Sequence, residues 1–324
     1  MQCWGGKELR EKGDKDGYRP LVVIVGPTAV GKTAISIRLA ARFGGEIVSA
    51  DSRLFYRGLD IGTAKPNNAE RSQVPHHLID ICKPNETITL GEYRRLAMAA
   101  IRDIQARGCI PLLVGGTGQY IRAIVEGWGI PEVAPQKRFR EILADMNDQE
   151  VVRWLRLLDP DSARRIDPRN IRRVIRALEV TIYTGRPMSQ LQQKHPPDDD
   201  ILNIGLTCER DILYARIDSR VERMMAAGIL GEVTELRRQG YDRYLPAMSG
   251  LGYRQLWAYL DDEIAMDQAV ERIKFETHRF ARQQYTWFRV EDEDIKWFDV
   301  QQPAWMDAVE VLVGDWLEDN GYLT

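Results

Sequence analysis

The run LVVIVGPTAVGKTAISIRLAARFG, residues 21–44, constrains this chain more than any other. Five apolar residues at 21–25 read as a buried strand, and the apolar spacing from 31 to 43 reads as a helix. Between them GPTAVGKT fits the phosphate-binding pattern GxxxxGK(S/T) in the strand–loop–helix context that the pattern requires. Glycines at 26 and 31 let backbone N–H groups curl around an anion, and the helix N-terminus adds positive potential. Lys32 is expected to neutralise phosphate oxygens and Thr33 to ligate Mg2+. A di- or triphosphate is the expected ligand, and the motif leaves open which.

Further apolar strands at 46–49, 110–114 and ILNIGLTC (201–208) alternate with helical segments, which implies a parallel sheet covered on both faces. Between Pro131 and about Asp200 the strand signal vanishes. That segment reads as helical and is bounded by IPEVAP and HPPDDD, so it is expected to be an inserted subdomain. The expected organisation is a loose leader at 1–20, a core at 21–130, the insert at 131–200, and a core completion at 201–324. Helices are expected in the last part at about 210–227, 230–239, 250–260, 264–286 and 303–318. Net charge is −3, but residues 137–195 carry 13 Lys and Arg against 8 Asp and Glu, while 291–324 carry one lysine against ten acids. A basic middle offset by an acidic tail is an asymmetry that the overall charge conceals. No apolar run approaches the roughly 20 residues that span a bilayer. The four cysteines form no CxxC pair, which argues against a disulfide framework or zinc site and favours a reducing cytoplasm.

Four further stretches carry chemistry. In EIVSADSRLFYRGLDIGTAKP (46–66), Asp51 falls just past a strand and about twenty residues after the phosphate loop, where it suits either a magnesium ligand or a free base. GGTGQY at 115–120 is a glycine turn or a ligand contact at the carboxyl edge of the sheet. The strand before it ends in glycine where many ATPases place Asp, which counts against an ATP-hydrolysing motor. In IDPRNIRRVIRALEV, Asp167 is expected as N-cap with Pro168 in the first turn. Arg169, Arg172, Arg173 and Arg176 then share one face, and Ile171, Val174, Ile175 and Leu178 the other. The arginine face is either solvated or laid against a polyphosphate backbone, since it includes no acid to relieve repulsion. Finally, Arg216, Arg220 and Arg223 follow the returning strand at helical spacing; one is expected to reach the phosphate site, the others to be surface charges. The rings of His76 and His77, adjacent in an extended segment, should point oppositely rather than share a metal.

Together GPTAVGKT, ADSRLFYRGLDIGTAKP, PHHLID, PLLVGGTGQY, DPDSARRIDPRNIRRVIRALEVTIYTGRPMS, LYARIDSRV, LPAMSGLGYRQLWAYL and ARQQYTWF resemble the tRNA dimethylallyltransferases, also called tRNA isopentenyltransferases. The segments stand in the family's order from residue 21 to about 290. The resemblance implies an α/β fold of P-loop NTPase-like, nucleotide-kinase-like type, with an inserted helical tRNA-binding subdomain. It implies transfer of a dimethylallyl group from dimethylallyl diphosphate to N6 of the adenine 3′ of the anticodon (position 37), in tRNAs reading codons that begin with U. Asp51 is then the general base, Arg216 a diphosphate ligand with Gly26, Thr28, Ala29, Val30, Gly31, Lys32 and Thr33, and Thr33 the holder of Mg2+. Asp51, Thr33 and Arg216 form the implied catalytic set. Asp51, Ser52, Arg53, Leu54, Thr117, Arg138, Arg172, Arg173, Val174, Ile175, Arg176, Ser249, Gly250, Leu251, Gly252, Tyr253 and Arg254 are implied tRNA contacts, with the anticodon stem-loop as partner. A cytoplasmic monomer of the bacterial type, without a zinc finger, is expected. The chain departs from the family at Leu54, where many members have Gln, at Asp167-Pro168-Arg169, where His-Pro-Asn is common, and at Gln283, where a basic residue is usual. A P-loop phosphotransferase would instead show a compact lid and consume ATP; an RNA-binding ATPase would release phosphate.

Overall fold

The structure, a computed structural model, describes residues 19–323, so the expected leader lies outside the described residues except for Arg19 and Pro20. β1 (Pro20–Val25) is buried at every position after Pro20, as an apolar strand covered on both faces must be. It leads through the glycine loop into α1 (Lys32–Phe43), which ends on Gly44 in the left-handed region. There follow β2 (Gly45–Ala50), α2 (Asn68–Arg71), the two-residue β3 (His76–His77), α3 (Leu90–Ala106), β4 (Ile110–Gly115) and α4 (Gly118–Val125). α3 starts at a capping box in which Thr89 accepts the Glu92 N–H and Glu92 accepts the Thr89 N–H.

Residues Arg122–Pro197 form a separate compact unit. The structure thus divides the chain at Ile121 and Asp198, where the proline-rich stretches suggested 131 and 200. Within this unit the incoming and outgoing chains are zipped together, with Gly129 N–H donating to Gln193 and His195 N–H to Gly127. Its helices are α5 (Lys137–Asp145), α6 (Asp148–Leu158), α7 (Pro160–Arg165), α8 (Ile171–Thr184) and α9 (Met188–Leu191). Leu143, Val151, Leu155, Val174, Leu178 and Val180 pack into its core. Glu179, fully buried, accepts from Arg140 at 2.7 and 2.8 Å and from the Gln136 N–H at 2.7 Å, and pairs with Arg176. Burial raises its carboxyl pKa, but the bonds from Arg140, Gln136 and Arg176 outweigh that and hold it below the ordinary value.

The helix start expected at Asp167 is corrected. The N-cap of α8 is Asn170, whose side chain accepts the Arg173 N–H. Asp167 instead accepts the Arg169 N–H at 3.0 Å and the Arg169 guanidinium, closing a turn before the helix. A residue ahead of proline is biased away from helical dihedrals, so the helix begins only after Pro168 has been passed.

The chain returns as β5 (Asp200–Thr207), followed by α10 (Arg210–Ala226), α11 (Ile229–Arg238), a 3-10 turn at Pro246–Ser249, α12 (Tyr253–Leu260) and α13 (Met266–Gln284). A strand the sequence did not announce, β6 (Ile295–Asp299), and α14 (Trp305–Asp319) end it. The sheet order is β3-β2-β4-β1-β5-β6, and every neighbouring pair is parallel. Ala50 pairs with Gly115 and Ile24 with Val114, so the carboxyl ends of β2, β4 and β1 lie side by side. Under the sheet, Ile35, Leu39 and Phe43 of α1 meet Val309, Val313 and Leu317 of α14, each such burial contributing about 1.5–3 kcal/mol. The acidic tail is therefore part of the core unit, and two of its acids, Asp307 and Glu310, pair with Arg38. Cys82 and Cys208 are free thiols. No helix among the described residues is long and apolar enough to cross a membrane.

Candidate functional site

The phosphate loop takes its shape from three left-handed residues, Gly26, Ala29 and Gly31. At Gly26 the need for glycine is steric as well, because a Cβ there would lie 2.5 Å from the Leu206 carbonyl oxygen. Lys32 donates to the carbonyls of Gly26 at 2.9 Å and Pro27 at 2.7 Å. Burial drives its ammonium pKa down to about 8, with Asp51 opposing the shift and Arg220 adding to it. Thr33 stands exposed in the first turn of α1 and lines the cleft with Lys32.

α10 supplies two arginines to this loop rather than one. Arg216 donates to the Val30 carbonyl at 3.3 Å. Arg220, one turn on, reaches Thr28 Oγ1 and the Thr63 carbonyl, both at 3.4 Å. Burial lowers the Arg220 pKa, and Asp51 counteracts that, which sets a carboxylate and a guanidinium in the same low-dielectric region. Arg223 lines the same cleft. Arg220 thus moves from expected surface charge to site residue, and its spacing of four from Arg216 is the signal that marks it.

Asp51 lies just past β2. Its Oδ1 accepts the Arg53 N–H at 2.9 Å, and its own N–H donates to Ser49 Oγ at 3.3 Å. The neighbouring loop after β4 is drawn against it: Thr117 N–H donates to the Ala50 carbonyl and Thr117 Oγ1 accepts the Ser52 N–H. Gln284, at the end of α13, bridges the two loops. Its Oε1 accepts the Thr28 N–H at 2.8 Å and its Nε2 donates to the Gly116 carbonyl at 2.9 Å. The Thr28 amide is thereby engaged inside the protein, while the residue still lines the cleft.

Two cavities meet here. One, of about 1440 Å³, is lined by the phosphate loop, α10 and the 60–71 segment. The other, of about 620 Å³, is lined by the 52–53 and 117–119 segments, the 249–254 segment and one face of α13. Thr28, Asp51, Thr63, Gly116, Arg220, Met224, Phe280 and Gln284 line both. Asp51 therefore faces a phosphate cradle on one side and a second opening on the other.

The expected RNA contacts separate by location. Ser52, Arg53, Thr117, Ser249, Gly250, Leu251 and Arg254 line the second cavity, whereas Leu54 lines the first. Arg53 bonds the Pro246 carbonyl and Ser249 Oγ, and Arg254 pairs with Glu276. Gly252 starts α12 in the left-handed region and is buried. Tyr253 is 1% exposed; its hydroxyl donates to Glu232 at 2.6 Å, so its side chain is structural. Glu232 also accepts the N–H groups of Asp60, Ile61 and Gly62 at 2.9, 2.8 and 3.2 Å, fastening this wall of the first cavity to α11. That role had no sequence signal. In the separate unit, Arg138, Arg172 and Arg173 are exposed. Arg169 and Arg176 have acid partners in Asp167 and Glu179, which the helical wheel overlooked. Val174 and Ile175 are 1% and 6% exposed in that unit's core, which withdraws their side chains from RNA. His76 and His77 bond different groups, the Val74 carbonyl and Glu46.

Among the described residues no group of three or more His, Cys, Asp or Glu is placed to hold a metal ion. The cleft offers the Thr33 hydroxyl and the Asp51 carboxylate. Magnesium commonly takes one or two protein oxygens and completes its octahedron with substrate phosphate and water, so this donor set fits an ion that arrives with a diphosphate.

The model of the IPP transferase family matches residues 54–291. A tRNA dimethylallyltransferase of Roseiflexus sp. (strain RS-1) is 54% identical over 274 residues, covering 83% of this chain and 90% of its own. One from Thermomicrobium roseum is 49% identical over 299 residues, 91% of each chain. Among solved structures, the full-length tRNA isopentenylpyrophosphate transferase of Bacillus halodurans superposes with a TM-score of 0.70 at 37% identity, covering 93% of this chain and 97% of its own. A eukaryotic dimethylallyltransferase acting on tRNA does so with a TM-score of 0.81 at 26% identity, covering 93% and 80%.

Proposed function

This chain belongs to the IPP transferase family, and we propose that it transfers a dimethylallyl group from dimethylallyl diphosphate to N6 of adenine 37 in tRNAs that read codons beginning with U. The observation that carries this reading is the position of Asp51 on the wall shared by two cavities, one of them a phosphate cradle. An enzyme that consumed only a nucleotide would have no use for the second opening.

An exocyclic adenine amine is a poor nucleophile, because its lone pair is delocalised into the ring. Asp51 accepts the N6 proton as the N–C bond forms. The C–O bond to diphosphate breaks, and its electron pair leaves on the diphosphate. Negative charge grows there, and the amides at 29–33, Lys32, Arg216 and Arg220 stabilise it. Thr33 would hold Mg2+ with the diphosphate oxygens, and the ion would supply further charge neutralisation there. The target base leaves its stack and enters through the second cavity, past Ser52, Thr117 and the 249–254 segment. Arg138, Arg172 and Arg173 of the helical unit contact the anticodon stem-loop by its backbone and shape. The protein acts in the cytoplasm, where its tRNA substrates are, and works as a monomer.

Labelled dimethylallyl diphosphate or labelled ATP, incubated with the protein and tRNA, tests the reading. Label from the dimethylallyl group should move to tRNA. Transfer of phosphate from ATP, or RNA-stimulated phosphate release, would overturn it.

A further inference from the structure

Gln284 is 5% exposed, yet its amide lies on the wall common to both cavities. Its two bonds join different parts of the site: Thr28 in the phosphate loop at 2.8 Å and Gly116 in the loop after β4 at 2.9 Å. From Gly116 the tie continues through Thr117, which bonds Ala50 and Ser52, the residues on either side of Asp51. The loop closes tightly on the amide, since a Cβ at position 116 would come within 2.0 Å of Gln284 Nε2.

An amide side chain carries a donor and an acceptor on one rigid, neutral plane. It can satisfy an N–H on one loop and a C=O on another without placing charge beside a diphosphate. A carboxylate in its place would accept from Thr28 but face the Gly116 carbonyl with a second lone pair. We propose that Gln284 is a positioning residue for the transfer step, fixing the separation between the phosphate loop and the Asp51 segment. The proposal rests on the prenyl-transfer reading of the site. Gln284 touches no reacting atom in it. Its effect should fall on kcat rather than on donor binding, because Lys32, Arg216 and the amides at 29–33 remain in place. Misplacing reacting groups by about 1 Å can cost on the order of 10²-fold in rate.

Two variants test it, each compared with wild type at every pH. Gln284→Met should lose at least about tenfold in kcat, with the KM for dimethylallyl diphosphate within about threefold of wild type. Gln284→Glu should be impaired at pH 8, where the carboxylate cannot donate, and its rate relative to wild type should recover towards pH 5 as protonation restores the bond to Gly116. A Gln284→Met kcat equal to wild type, or a loss confined to KM, overturns the proposal. So does a Gln284→Glu ratio that does not change with pH, and this comparison decides the matter even where Gln284→Met does not fold. Wild-type protein that transfers no label from dimethylallyl diphosphate refutes the reading of function instead, and is told apart because the variant ratios are formed only on an active wild type.

Discussion

Binding of dimethylallyl diphosphate should draw a proton from solution, in an amount that rises steeply with pH. Lys32 sits in the cleft with its pKa lowered from 10.5 to about 8, chiefly by burial. A diphosphate against the ammonium compensates that burial and returns its pKa to at least the ordinary value. At pH 7 the free site is already about 90% protonated, so uptake by this group is about 0.1 proton; at pH 9 it is about 0.9. Above pH 8 the same linkage weakens donor binding by about tenfold per pH unit, over a range worth about 3 kcal/mol. Isothermal titration with dimethylallyl diphosphate, without tRNA, in paired buffers of different ionisation enthalpy measures the uptake directly. The ligand's terminal phosphate titrates near about 6 and is silent at pH 9. Lys32→Met should abolish the uptake at pH 9. Uptake below about 0.3 proton in wild type, or equal uptake in the variant, would falsify the assignment. For folding, the unfolded chain holds this proton up to about pH 10.4, so Lys32 makes the fold more stable as pH rises from 8 to 10.5.

Asp51→Asn should lower turnover by about 10² or more with tRNA affinity nearly unchanged, since Asn Oδ1 can still accept the Arg53 N–H; near-normal turnover would remove Asp51 as the base. Neutralising Arg172 and Arg173 should weaken tRNA binding and flatten the slope of log K against log salt by about 1.5, and an unchanged slope would return them to ordinary solvated charges. Arg176→Gln should change that slope less, because Arg176 is paired with Glu179. Glu179→Ala leaves the Arg140 and Arg176 charges without their partner and should destabilise the helical unit by about 3 kcal/mol, read by thermal melting. Because the folded Glu179 pKa is lowered, its contribution is complete above the ordinary value of 4.5 and is lost as pH falls through the folded value. A melting curve of Glu179→Gln with the wild-type pH dependence would exclude it.

What could be read in advance was what is local. The phosphate loop, the strands of the inner sheet and the placement of Asp51 past β2 are each written in fewer than about ten consecutive residues, where periodicity and glycine spacing suffice. Gln284 was not legible, because its partners lie 168 and 256 positions away and a glutamine at a helix end has no signature of its own. Glu232 is similar: three amides on a loop 170–172 residues earlier define it. β6 is partly exposed along its length and shows no alternation to mark it. The α8 cap is ambiguous in sequence because Asp167 and Asn170 are both capping types, and only the bond Asp167 makes to Arg169 separates them.

The two cavities that meet at Asp51 have a kinetic consequence. A pocket with a single mouth obliges whichever product lies deeper to wait for the other to leave. On the proposed reading the diphosphate would depart through the cleft beside α10 while the modified nucleoside withdraws past the 249–254 segment. Neither exit blocks the other. That reading therefore predicts no compulsory order of product release, with the prenylated RNA dissociating at a rate set by its own grip on the protein.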